Sequence, residues 1–118
     1  MGVSGEDKDL KRLRAICAAL PNVVETSSWD HANWRTGKTL FASYEVYRGA
    51  KVFSFFAGNE HQDEFLEYER FSPHRLTDRY GWVCLRLDKD ADWNEIKRLA
   101  AFSHDLVTKN NASKLGKP

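Results

Sequence analysis

The segment Trp29-Asp30-His31-Ala32-Asn33-Trp34-Arg35-Thr36-Gly37-Lys38 gathers two indoles, an imidazole, a guanidinium and an ammonium around one tight turn. Two kinds of chemistry use such a set. An Asp-His pair can orient a general base, but it needs a nucleophile or a second polar group within reach. Cations flanking a turn grip phosphate oxygens, and aromatic faces beside them stack on unpaired bases. No nucleophile is identifiable for the first chemistry, so no catalytic residue is assigned. A small enzyme using His31 ranks behind the binding readings. The second chemistry has more support along the chain. Arg48 and Lys51 flank the next turn, Arg75 and Arg79 precede the last strand, and Trp34, Tyr47, Tyr80 and Trp82 are interleaved with them.

The residues expected to meet nucleic acid are therefore Arg35, Lys38, Arg48 and Lys51 on phosphate, with Arg79 and Trp82 adjoining. About six phosphate contacts would make DNA binding steeply salt-sensitive, weak and tolerant of sequence. A second set consists of Trp34, Trp82 and Arg86, with His31 beside it. Tryptophan and arginine are enriched at binding hot spots, and this set suits a protein or small-ligand partner. The same tryptophans equally suit packing, with a small second core under Phe71–Tyr80. Residues 59–70 carry Glu60, Asp63, Glu64, Glu67 and Glu69 against Arg70 alone, which reads as a solvated acidic helix face.

Other site classes find little support. His31, His61, His74 and His104 are scattered and match no structural zinc spacing, so no metal or cofactor is expected. Cys17 and Cys84 lie far apart in apolar settings, as free thiols of a reducing cytoplasm would. A formal charge of +1 makes no general case for nucleic acid. No apolar run reaches the roughly 20 residues of a membrane span, and none precedes the first helix as a signal segment. With 118 residues the chain is read as one domain, loose at 1–5 and 110–118.

The elements that must position these residues follow from periodicity. Glu6–Leu20 repeats apolar residues at Leu10, Leu13, Cys17 and Leu20 and predicts a helix stopped by Pro21. Val23–Ser28, Asn33–Thr36, Thr39–Val46 and Lys51–Ala57 predict strands, with a hairpin turn at Gly37-Lys38 and a second turn at Tyr47-Arg48-Gly49-Ala50. Asn59 and Gln62 suggest a capping box opening a short helix. Phe71–Tyr80 is irregular or an edge strand, since Pro73 disfavours a central one. Trp82–Asp88 alternates, with Val83, Leu85 and Leu87 on one face and Trp82, Cys84 and Arg86 on the other. Asp92 and Glu95 cap the last helix. The sum is α+β: two layers, a mainly antiparallel sheet with the N- and C-terminal helices on one face, and a short helix after the strand run.

Four stretches carry a resemblance to a known family. They are Cys17-Ala18-Ala19-Leu20-Pro21-Asn22-Val23-Val24-Glu25, Trp29-Asp30-His31 running into Trp34 to Ala42, Tyr80-Gly81-Trp82-Val83 with Leu85 and Leu87, and Asp92-Trp93-Asn94-Glu95-Ile96 with Leu106-Val107. In this order the chain resembles the MmcQ/YjbR family of small bacterial proteins. The resemblance spans roughly Leu10 to Val107 and implies a frataxin-like α+β fold. It also implies a proposed double-wing style of DNA binding. Two departures bear on that surface: Ala32-Asn33 stands where the family often has a proline, and Thr77-Asp78-Arg79-Tyr80 replaces a lysine-rich stretch.

Overall fold

Alternate residues of the strands carry the core. The computed structural model describes residues 7–28 and 31–115. Its elements are α1 (Lys8–Ala18), β1 (Val23–Ser28), β2 (His31–Thr36), β3 (Thr39–Tyr47), β4 (Ala50–Phe56), α2 (Gly58–Leu66), β5 (Phe71–Pro73), a 3-10 turn (Asp78–Tyr80), β6 (Trp82–Arg86) and α3 (Trp93–Leu115). The six strands form one sheet in the order β1-β2-β3-β4-β6-β5, and every neighbouring pair is antiparallel. The expected α+β architecture is what the chain adopts. Trp29 and Asp30 lie outside the described residues, as does the expected loose end at 1–5.

Register turns the period of two into a continuous apolar layer. Ala32 stands opposite Tyr44, Tyr44 opposite Phe53, Phe53 opposite Leu85, and Leu85 opposite Phe71. The next row runs Trp34, Ala42, Phe55, Val83, and both rows are buried. Leu10, Leu13 and Cys17 of α1 join this core, as do Ile96, Leu99, Ala100 and Val107 of α3. At Trp34/Arg35 the pairing slips by one, leaving Phe41 without a partner in β2. Such a bulge lets consecutive residues turn inward; Phe41 and Ala42 are both fully buried, and the Phe41 ring meets His104 edge-on at 5.3 Å.

Two polar anchors tie α1 to the sheet. Glu25 accepts from the Trp34 indole N–H at 2.9 Å and from Arg14 Nε at 3.0 Å. Burial by itself would raise the Glu25 carboxyl, but these donors hold it below its ordinary value. Asp7 caps α1 by accepting from the Asp9 and Leu10 N–H groups, and it also accepts from the Tyr44 hydroxyl and from Lys51 Nζ at 3.0 Å. Burial opposes ionisation of Asp7 too, and the Tyr44 and Lys51 hydrogen bonds outweigh it.

Three local expectations need correction. The Asn59–Gln62 capping box does not form, because α2 starts at Gly58 and has no side-chain cap. Gln62 instead donates to the Asp78 and Trp82 carbonyls, a tertiary use that removes it from the cap. Residues 110–115, expected to be loose, continue α3. Asn111 accepts there from the Thr39 hydroxyl at 3.1 Å, which fastens the last turns to the start of β3. The first helix begins two residues later than expected, at Lys8, because Asp7 is its cap. The Asp92 cap does form, accepting from Asn94 and Glu95 N–H.

Candidate functional site

The face of the sheet away from the core carries the other half of the alternation. Its residues are His31, Asn33 and Arg35 of β2, Ser43, Glu45 and Tyr47 of β3, Val52 and Ser54 of β4, and Trp82, Cys84 and Arg86 of β6. The buried residues of α1 and α3 pack on the core face, and the segment after β5 folds back over this one. Glu45 shows how far that segment reaches. It lies on β3, two strands beyond β6, yet its carboxylate accepts from Arg75 Nη2 at 2.9 Å and lies 3.4 Å from His74 Nε2. His74 Nδ1 accepts from the Leu76 and Thr77 N–H groups at 3.1 and 3.3 Å, so the ring proton sits on Nε2, facing Glu45. From the other side, Ala57 N–H donates to the Gly81 carbonyl at 2.9 Å. A second small core under this segment is therefore present: His74 and Ser54 are buried, and Ser54 Oγ lies 3.3 Å from Cys84 Sγ.

Between this segment and the sheet lies a cleft of about 340 Å³, lined by Glu45, Tyr47, Arg48, Arg75, Cys84 and Arg86 among others. A second, shallower cavity of about 550 Å³ shares Arg48 and Arg86 and adds Lys51 and Lys89, with Asp9 and Asp88 also in its wall. Three guanidinium groups thus converge from three different elements. Arg75 stacks on the Tyr47 ring, 4.0 Å from its centroid, and Arg48 lies 5.3 Å from the same centroid. Cation–π contacts of this kind fix the guanidinium plane without neutralising its charge. Among the described residues, Arg75 is ion-paired with Glu45, and neither Arg48 nor Arg86 has a carboxylate partner. Cys84 forms part of the wall, where burial pushes its thiol up despite the Ser54 hydrogen bond.

The structure separates the residues expected to act together. β3 has nine residues, about 30 Å at about 3.3 Å per residue, and it divides the two hairpin turns. Lys38 is therefore exposed at the end opposite Arg48. Arg35 shares Lys38's end and donates to Thr26 Oγ1 at 2.9 Å. Arg79 and Trp82 also belong to that end, because Trp82 pairs with Phe56 at the finish of β4. Trp82 is only 9% exposed and packs at 6.1 Å against the Phe56 ring; Arg79 lies 5.3 Å from the Tyr80 ring. Lys51 is at the Arg48 end, but its charge is answered by Asp7 at 3.0 Å and Asp9 at 3.4 Å.

The alternative set divides as well. Trp34 is fully buried on the core face and cannot meet a ligand. Arg86 is exposed in the cleft wall. His31 is half-buried opposite Glu45 in register and does not line the cleft. Among the described residues no group of three or more His, Cys, Asp and Glu side chains is placed to hold a metal ion. No described helix is long and apolar enough to cross a membrane.

Fold and site together define a two-layer α+β domain with helices on one sheet face and an arginine-lined cleft on the other. The YjbR family model matches residues 18–106, and the chain belongs to that family. Its fold is similar to the crystal structure of Deinococcus radiodurans protein DR2400, which carries the domain DUF419. The two are 21% identical with a TM-score of 0.74, over 92% of this chain and 88% of that one. A search of curated proteins finds no match.

Proposed function

We propose that this YjbR-family domain binds nucleic acid through one end of its sheet, at the arginine cleft, and not through both hairpin turns. The observation that carries this reading is the pair Arg48 and Arg86. Both are exposed, both line the two adjoining cavities, and neither is neutralised by a carboxylate among the described residues. Planar guanidinium forks match phosphate oxygens in bidentate fashion. Lys89 adds a third cation to the lining of the shallower cavity, which also holds Asp9 and Asp88. The Lys38 end offers less, since Arg35 is tied to Thr26 and Trp82 is buried.

A second reading, a small anionic ligand, is favoured by the size of the cleft. Its volume of about 340 Å³ falls at the lower end of the roughly 300–1,000 Å³ seen for ligand pockets.

The test is a fluorescence titration of the full chain with short duplex and single-stranded DNA at about 50 and 200 mM salt. With three charges neutralised by Arg48, Arg86 and Lys89, binding should weaken roughly 20- to 40-fold between those salts. Arg48→Ala and Arg86→Ala should each lower affinity and flatten that dependence, while Lys38→Ala should leave both unchanged. Absence of binding at the lower salt would overturn the proposal, as would a Lys38→Ala loss equal to that of Arg86→Ala.

A further inference from the structure

We infer that the arginine cleft recognises a phosphomonoester, the terminal phosphate of a strand or of a nucleotide, in preference to the phosphodiester of a continuing chain. This rests on the reading of the cleft as the anion site and adds what kind of anion it takes. The argument starts from charge. Arg48 and Arg86 are the two guanidinium groups in the wall common to both cavities, and they are the two without an ion pair among the described residues. A phosphodiester carries one negative charge. A phosphomonoester carries about 1.5 to 2 near neutral pH and presents three oxygens, enough to engage two forks at once.

The rest of the cleft disfavours a second phosphate. Glu45 lies in its wall, with its carboxylate held by Arg75 at 2.9 Å and lying 3.4 Å from His74 Nε2. A diester chain threaded inward would bring its next phosphate against the Glu45–Arg75 pair, whose guanidinium is already engaged by the carboxylate and offers that phosphate no free fork. A strand end or a free nucleotide has no next phosphate on that side. The remaining wall, with Ala50, Val52, Pro73 and Cys84, suits an uncharged sugar or base. The arrangement is one seat with two guanidinium groups free of ion pairs among the described residues, beside a wall whose remaining charges, Glu45 and Arg75, are paired with each other.

The test uses the full chain and three probes: a single-stranded oligonucleotide with a 5′-phosphate, the same oligonucleotide with a 5′-hydroxyl, and a nucleoside 5′-monophosphate as competitor. One added hydrogen bond between charged groups should make the 5′-phosphate strand bind about tenfold more tightly than the 5′-hydroxyl strand. That preference should vanish in Arg48→Ala and Arg86→Ala and persist in Lys38→Ala, with all variants checked for an unchanged thermal midpoint. Arg86→Lys keeps the charge but not the fork, and should retain salt-sensitive binding while losing most of the preference. Competition by the monophosphate assigns the site to a free nucleotide, and preference without such competition assigns it to a strand end; either supports the inference. Equal binding of the two strands, weakened alike by Arg48→Ala, overturns the inference and leaves nucleic-acid binding standing. No binding of any probe overturns both.

Discussion

Replacing Gly81 by alanine tests how the segment over the cleft is held. Gly81 sits at φ 89°, and a Cβ built there would lie 2.6 Å from the carbonyl carbon of Gly58, 2.7 Å from its Cα and 2.9 Å from the nitrogen of Asn59. Carbon atoms in contact prefer about 3.5–4.0 Å, so one of the two backbones must retreat by roughly 1 Å. The obstacle is the first turn of α2, which cannot swing aside as a side chain would. A left-handed alanine costs about 1–2 kcal/mol, overpacking adds about 1–3 kcal/mol, and retreat stretches the Ala57–Gly81 hydrogen bond, worth about 1 kcal/mol. The sum is about 3–6 kcal/mol, against roughly 6–18 kcal/mol for the total stability of a chain this long. Gly49 is the control: its φ is 78°, but nothing lies within 4 Å of its Cβ position, so Gly49→Ala should cost only about 1–2 kcal/mol. With an unfolding entropy of about 0.25 kcal/mol/K for this length, thermal unfolding followed by circular dichroism should fall by about 4–8 °C for Gly49→Ala and at least about 12 °C for Gly81→Ala. Equal losses for the two variants would refute the close approach of Gly81 to Gly58. Because the same backbone contact seats the segment bearing His74 and Arg75, hydrogen exchange over residues 74–81 should rise in Gly81→Ala and not in Gly49→Ala.

The remaining predictions concern the anchors and the thiols. Asp7 and Glu25 have folded-state values below their unfolded ones, so their stabilisation is complete above about pH 4 and is lost as pH falls through the depressed folded values. Urea unfolding across pH should show this acid limb, and Asp7→Asn, which keeps the α1 cap but not the charge, should flatten it and cost about 1 kcal/mol at neutral pH. Glu25→Ala strands the buried Trp34 N–H and should cost about 1–3 kcal/mol by the same measurement; a neutral result would show that Trp34 finds another acceptor. Burial raises the thiols of both Cys17 and Cys84, so a disulfide reagent at mildly alkaline pH should find no fast-reacting thiol in the folded protein and two in urea. A fast-reacting Cys17 in the folded protein would contradict its enclosure in the core.

What could be read from the sequence, and what could not, follows one physical line. Periodicity is local, and it located β1, β6 and the buried faces of α1 and α3 closely. The alternation of Val83, Leu85 and Leu87 against Cys84 and Arg86 assigned both faces of β6 correctly, because one face must be apolar and the other need not be. The Asn59–Gln62 pair misled because the same amide could serve a local cap or distant carbonyls, and only the tertiary fold decides between them. His74 and Glu45 carried no motif: their pairing depends on a segment crossing two strands, which no spacing encodes.

The turn cations are a different case, since the information was present. Consecutive turns of an antiparallel meander lie at opposite ends of the strand they share, and a nine-residue β3 makes that separation about 30 Å. Arg35 and Lys38 therefore could not act beside Arg48, whatever their proximity in sequence. The same rule points to the right partner. β6 runs antiparallel to β4, and β4 starts at the Arg48 turn, so β6 must finish there; Arg86, its last residue, stands opposite Val52. An arginine at the end of one strand and an arginine in the turn before another, 38 residues apart in sequence, are brought to one cleft by topology alone. In a sheet of this kind the surface that can grip a polyanion is assembled from alternate turns and strand ends, and the neighbour in space is found by counting strand directions, not residues.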